Sequence, residues 1–266
     1  MSKHALIAMV GIVRREFLRF AHQRGRFLSA LVRPLIWLVI FAAGFRAALG
    51  LSITPPYETY ITYNLYIVPG LIGMIQLFNG MQSSLSMVYD QELGSMRVLL
   101  TSPLPRWFLL LSKLLAGTAV SILQVYVFIF IALLFDIDIP IKGLIPLFPI
   151  LILTGLMLGS LGMLLASTIR QLENFAGVMN FVIFPMFFVS SALYPIWKMR
   201  ESSKLLADLC QWNPFTHGVE LIRFTLHGQV NWLAAIVVII SGLVFFLAAV
   251  WSFNPSNRFR ASRTVG

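Results

Sequence analysis

Charge is scarce in this chain. Asp, Glu, Lys and Arg make up 11% of its 266 residues, against roughly 25% in soluble domains, while 58% are hydrophobic and the mean hydropathy is +0.84. A water-soluble fold of that composition has no polar surface to present, so its apolar runs belong in lipid. Cysteine is nearly absent: Cys210 stands alone, which excludes a disulfide framework and any multi-cysteine metal or redox motif and leaves it a small packing residue. No lysine follows a glycine, so the Gly-Lys pair of a phosphate-binding loop is missing and any ATP has to be handled by another chain. The four histidines, His4, His22, His217 and His227, form no HExxH or similar ligand set, and no carboxylate pair is placed for hydrolysis. We therefore expect no catalytic residue, no metal and no cofactor held by this chain. The first 28 residues are mixed and Arg-rich, without a compact apolar stretch ahead of a small-residue cleavage site, and no removable signal peptide is expected.

Acidic residues are also missing where an ion-coupled carrier would need them. Asp90, Glu92 and Glu173 fall at the edges of apolar runs, and Glu58, Asp136, Asp138 and Glu220 fall outside them. Carriers driven by protons or sodium bury a carboxylate near mid-membrane depth, so an ion-coupled secondary transporter is the second reading rather than the first. An intramembrane hydrolase is disfavoured too, because Ser83 and Ser84 have no histidine within reach. The net charge of +10 is not the footprint of nucleic acid, since the basic residues flank apolar runs and form no stripe interleaved with aromatics.

The long apolar runs themselves lie near residues 29–49, 61–88, 107–135, 144–168, 174–194 and 230–253, each long enough to cross a bilayer as a helix. They predict an all-α membrane protein with six transmembrane helices packed as one domain over 29–253, between an N-terminal segment 1–28 and a basic tail 254–266. Twelve Lys and Arg fall on the side of the two termini and five on the other, which by the positive-inside rule puts both ends in the cytosol. Residues 6–27 place Leu6, Met9, Val10, Val13, Phe17 and Phe20 on one helical face and Arg15, Glu16, Arg19, His22, Gln23 and Arg26 on the other. This is the pattern of an amphipathic helix in the membrane interface, serving as a lipid anchor or also touching a cytosolic partner.

Three features go beyond passive anchoring. In the second run, Gln76, Asn79, Ser83 and Ser86 recur at three- and four-residue spacing and form a polar stripe, which suits either helix–helix contact or a translocation path. The following loop carries Asp90 and Glu92 ahead of Leu93, Met96 and Leu100, with Gly94 and Arg97 between them and Pro103 and Pro105 as a stop. A short helix with an apolar ridge facing the cytosol predicts docking into a groove of another protein. After the fifth run, Asn213 can cap a short amphipathic helix opening at Pro214 and running through Phe215, Val219, Leu221, Ile222 and Leu226, either re-entrant or lying on the membrane. Gly155 and Gly159 at GxxxG spacing, continued by Gly162 and Ala166, predict close helix packing in the fourth run.

Taken together, the basic amphipathic start, YNLYIVPGLIGM, SSLSMVYDQELGSMRVLLTSPLPRWFLLLSKLL, NFAGVMNFVIFPMFFVSSALYPI and NPFTHGVELIRF resemble, in order and spacing, the membrane-spanning permease subunit of ABC transporters of the type-2 exporter family. The resemblance covers nearly the whole chain. It implies a six-helix half-transporter that pairs with a second copy in a bacterial inner (plasma) membrane. Two copies of a cytosolic ATPase subunit would bind ATP and Mg. It further implies that residues 6–27 are the connecting helix and that the loop around Glu92, Gly94 and Arg97 is the coupling helix. The segment with Asn213, Pro214, Glu220 and Arg223 would form re-entrant helices, and the cargo is left open.

Overall fold

The computed structural model describes residues 7, 9–15, 18, 24–45, 55–57, 62–92, 105–169 and 171–253. All of its described regular structure is helical: α1 (Arg24–Phe45), α2 (Tyr63–Glu92), α3 (Arg106–Leu134), α4 (Leu144–Thr168, entered through a 3-10 turn at Ile141–Gly143), α5 (Leu172–Phe188), α6 (Ile196–Ser202), α7 (Lys204–Trp212), α8 (Pro214–Leu226) and α9 (Trp232–Ser252). Helical residues at 7, 9–15 and 18 precede α1, with Ile7, Val10 and Leu18 exposed. The predicted basic tail 254–266 lies outside the described residues.

Three of these segments are long and apolar enough to cross a membrane: Arg106–Leu134, Ile141–Thr168 and Trp232–Ser252. In α9, exposed Trp232 and Trp251 stand 19 residues apart, about 28 Å along the axis at 1.5 Å per residue. That matches a hydrocarbon core of about 30 Å bracketed by interfacial tryptophans. The apolar helix α5 is shorter than the predicted run, because Pro185 lies in its last turn and the chain leaves the helix at Val189. Residues 189–195 form a turn instead.

The bundle is built around α2 and α4. Every residue of α2 from Tyr66 to Met81 is buried, with α1, α3, α4, α5 and α8 packed around it. Helix α4 lies between α2, α3, α8 and α9. The small-residue face predicted in α4 is the reason these helices approach so closely. A Cβ at Gly162 would lie 2.7 Å from the Gly80 carbonyl oxygen, one at Gly80 would lie 2.9 Å from Gly159 N, and one at Gly155 would lie 2.8 Å from Thr118 Cγ2. Side chains of ordinary size would force these helices apart.

The ends are closed locally. Helix α3 terminates in a Schellman motif, with Asp136 at φ 55°, Ile137 N donating to Ala132 O and Asp136 N to Leu133 O. Helix α8 ends the same way through Gly228 at φ 74°, where Gln229 N donates to Phe224 O and Gly228 N to Thr225 O. The ends of α2, α4 and α9 meet the starts of α3 and α5 in one apolar cluster built on Val88, Leu110, Ala166, Phe175 and Ala249. At the opposite end α8 lies across α2 and α4.

Candidate functional site

The polar stripe of α2 is buried inside the chain. Gln76 Nε2 donates to Leu151 O at 2.8 Å, and its Oε1 accepts from Thr154 Oγ1 at 2.6 Å, so both amide atoms are spent on α4. Asn79 donates to Gln124 Oε1 of α3. Ser83 and Ser86 are half-buried and turn their hydroxyls back onto Gly80 O and Ser83 O of their own helix. Gln76 and Asn79 therefore tie α2 to α4 and α3 within one chain, and neither stands on an open face. Gln124 Nε2 and Thr118 Oγ1, also buried on α3, have no hydrogen-bond partner among the described residues.

A second polar assembly sits where α8 crosses the first turns of α2. Asn213 adopts extended geometry and its Oδ1 accepts from Phe215 N at 3.0 Å, while Pro214 fills the first helical position, where its missing N–H costs nothing. The same side chain donates through Nδ2 to Met186 O at 2.8 Å and Val189 O at 2.6 Å, capping the carbonyl end of α5. One asparagine thus joins the end of α5 to the start of α8. The apolar face of α8, with Phe215, Val219, Leu221, Ile222 and Leu226, is at most 2% exposed.

On the remaining face of α8, Arg223 is buried and pairs with Glu220 one turn earlier. Its Nη2 donates to Ser191 O at 2.8 Å, and its guanidinium lies 4.1 Å from the ring centroid of Tyr66. Tyr66 Oη donates to the same Ser191 carbonyl at 3.0 Å, and Tyr63 Oη donates to Leu193 O at 3.0 Å. The 189–195 turn is thereby held by α2 and α8 at once. It approaches α2 at Gly70, where a Cβ would lie 2.4 Å from Ala192 O. From the preceding loop, Tyr57 stacks edge-on against His227 at 4.7 Å. Burial pushes its phenol up, and neighbouring Arg223 pulls it the other way. Arg223 and Glu220 together are neutral, so the assembly joins elements and presents no net charge to a ligand.

The sequence between residues 8 and 227 matches the model of the ABC-2 type transporter family. This chain belongs to that family. Transport permease ycf38 of Porphyra purpurea is 27% identical over 94% of this chain and 88% of its own, and that of Cyanophora paradoxa is 28% identical over 84% and 74%. The multidrug ABC transporter permease YbhR of Escherichia coli is 29% identical over 63% of this chain and 45% of its own length. The chain is accordingly a multi-pass membrane permease of ABC-2 type.

In this ABC-2 permease, Glu92 is the last residue of α2 and is exposed, and Asp90 lies in the same final turn. Leu93, Gly94, Met96, Arg97 and Leu100 lie outside the described residues. Among the described residues no group of three or more His, Cys, Asp or Glu could hold a metal ion. Sequence reasoning passed over Gln124 and Thr154, and for Tyr63 and Tyr66 it weighed only the aromatic rings, as a surface for an amphipathic or lipid-linked cargo or as bundle filler, and not their hydroxyls. The tyrosines are spaced i, i+3 on one face of α2, and Gln124 and Thr154 are isolated polar residues in strongly apolar runs; both patterns signal a buried partner.

Proposed function

We propose that this permease is the membrane half of an ATP-driven exporter, working as a pair of copies driven by two copies of a separate cytosolic ATPase subunit that binds ATP and Mg. Family membership carries the reading. Residues 93–100 are the coupling helix in this proposal, with Glu92 and Arg97 setting its register on the ATPase and Leu93, Met96 and Leu100 buried by it. Both termini lie in the cytosol of a bacterial inner membrane, and α8 covers the outer end of the path.

The polar stripe of α2, where its polarity leads one to expect the second copy, is spent on α3 and α4 of the same chain, so the second copy packs on α5 instead. Asn174, Gly177, Asn180, Phe181, Phe184 and Phe188 form an exposed stripe at helical spacing on that helix, and a Cβ at Gly177 would meet nothing within 4 Å. Two asparagines on an otherwise apolar face are poorly suited to lipid and well suited to a second wall. The polar stripe of α2 then supports the path from inside each half by holding α2 to α3 and α4.

Three measurements test the proposal in a Cys210→Ser background. Cysteines at Ser2, Ser95 and Ser262 should label only from the cytosol, and those at Thr54 and Ser202 only from outside. Asn180→Cys should form an intermolecular cross-link that Leu243→Cys on α9 does not. Met96→Asp should insert normally yet lose co-purification of the ATPase, and Glu92→Ala should mainly uncouple hydrolysis from export. Wild-type ATPase binding and export in both loop variants would sink the coupling role.

A further inference from the structure

Helices α3 and α9 barely touch one another, and α4 forms the floor between them. The gap is a cavity of about 190 Å³ lined by Leu111 and Leu114 of α3, Leu153, Leu156, Met157 and Ser160 of α4, and Val238, Ile239, Gly242, Leu243 and Phe246 of α9. Ser160 is its one polar lining residue. Gly242 lines the groove where α9 packs on α4: its ideal Cβ would rest at an ordinary 3.4 Å from Met157 Cα and Cβ, so alanine fits there, and a side chain as long as leucine would have to turn into the groove.

We propose that this groove is a binding site for one acyl chain of a membrane phospholipid. All three walls belong to the helices that are long and apolar enough to cross a bilayer, and the rim residues Ile239 and Leu243 are 44% and 57% exposed, so the medium at the mouth is hydrocarbon. Water is excluded because an apolar cavity offers it no partners, and a space of about 150 Å³ lined by such side chains already admits benzene. Headgroup level can be placed as well. Exposed Arg106 and Trp107 open α3 one to two turns before Leu111 and Leu114, and Trp251 closes α9 just beyond Phe246. Tryptophan and basic residues of this kind sit at the membrane–water interface. The groove therefore begins below the headgroups of a single leaflet and runs inward, as an acyl chain does, with Arg106 placed near the phosphate.

The test is photolabelling of the full chain in vesicles of phosphatidylethanolamine and phosphatidylglycerol, using a phosphatidylglycerol probe with a diazirine in its tail, followed by peptide mapping. Adducts should concentrate on Leu111–Leu114, Leu156–Ser160 and Ile239–Phe246, above those on lipid-facing Leu233 and Leu247. Gly242→Leu, which fills the groove, should lower the groove adducts several-fold and leave those at Leu233 unchanged. Gly242→Ala should retain them, which separates filling from disturbance of α9. Uniform labelling over the apolar surface, or groove adducts undiminished in Gly242→Leu, would overturn the assignment. So would an intermolecular cross-link through Leu243→Cys, which would make the occupant of the groove a second copy.

Discussion

Replacing Arg223 by Met removes a buried cation and leaves three groups without it. Glu220 loses its counter-ion, Ser191 O keeps only the Tyr66 hydroxyl, and the Tyr66 ring loses the guanidinium above it. Breaking a buried pair by deleting one partner costs about 3–5 kcal/mol. Glu220, whose side chain is 19% exposed, keeps some solvation, so the lower end, near 3 kcal/mol, is expected. The pieces agree with that figure. A charge-assisted hydrogen bond contributes about 1.5–3 kcal/mol and a desolvated cation–π contact about 0.5–2 kcal/mol. Thermal unfolding of the purified full chain in detergent, followed by the surviving monodisperse fraction, should show Arg223→Met melting several degrees below wild type. Arg223→Lys keeps the charge but loses the fork and should fall between them. Arg223→Met with Glu220→Gln should recover part of the loss, because the stranded carboxylate is gone. If the single and double variants melt together, or if both melt with wild type, the ion pair is not what holds α8 to the 189–195 turn.

Further outcomes follow from the same contacts. Gly70→Ala should sharply lower the yield of folded protein, because its Cβ would collide with backbone at Ala192 O, whereas Gly73→Ala, which meets the side chains of Val219 and Phe215 at 3.0–3.2 Å, should be milder; monodisperse yield compares the two. Gln76→Leu removes both bonds from α2 to α4 and should cost about 1–3 kcal/mol in the same melting assay, while Thr154 Oγ1 keeps Ile150 O of its own helix, so adding Thr154→Val should restore none of it. Cys210 is buried against the Met199 sulfur, and burial pushes its thiol up, so at pH 8 it holds less of the reactive thiolate than an ordinary cysteine. Maleimide should modify it far more slowly than a cysteine at Ser202, with the rate rising as pH is raised; equal rates would contradict the burial.

The helices were legible because apolar length decides them. The runs at 107–135 and 144–168 match α3 and α4 to within a residue, and 230–253 matches α9 to within two. The cap at Asn213 could be read because an Asn-Pro pair ahead of a periodic segment has one good local use. What Asn213 does with its amide could not, since Met186 and Val189 are 27 and 24 residues away and no local pattern brings them near. The stripe of α2 shows the same boundary. Spacing places Gln76 and Asn79 on one face of a helix, but which neighbour that face meets depends on how α3 and α4 pack, and Gln124 and Thr154 supply the partners. The end of α5 was misplaced by six residues because 189–194 prolongs the run past Pro185, and the contacts with Tyr63, Tyr66 and Arg223 that hold it as a turn come from residues distant in sequence.

The glycine seam between α2 and α4 also determines which parts of the molecule are able to move. Backbones in contact at Gly80, Gly159 and Gly162 leave no compressible side chains between them, so neither helix can slide along the other by a fraction of a turn without a collision. These two helices must travel together as a single rigid unit, and α3 is drawn along through Gly155 and Leu114. The 189–195 turn belongs to the same unit, because a Cβ at Gly70 would lie 2.4 Å from Ala192 O, so sliding between that turn and α2 is excluded in the same way.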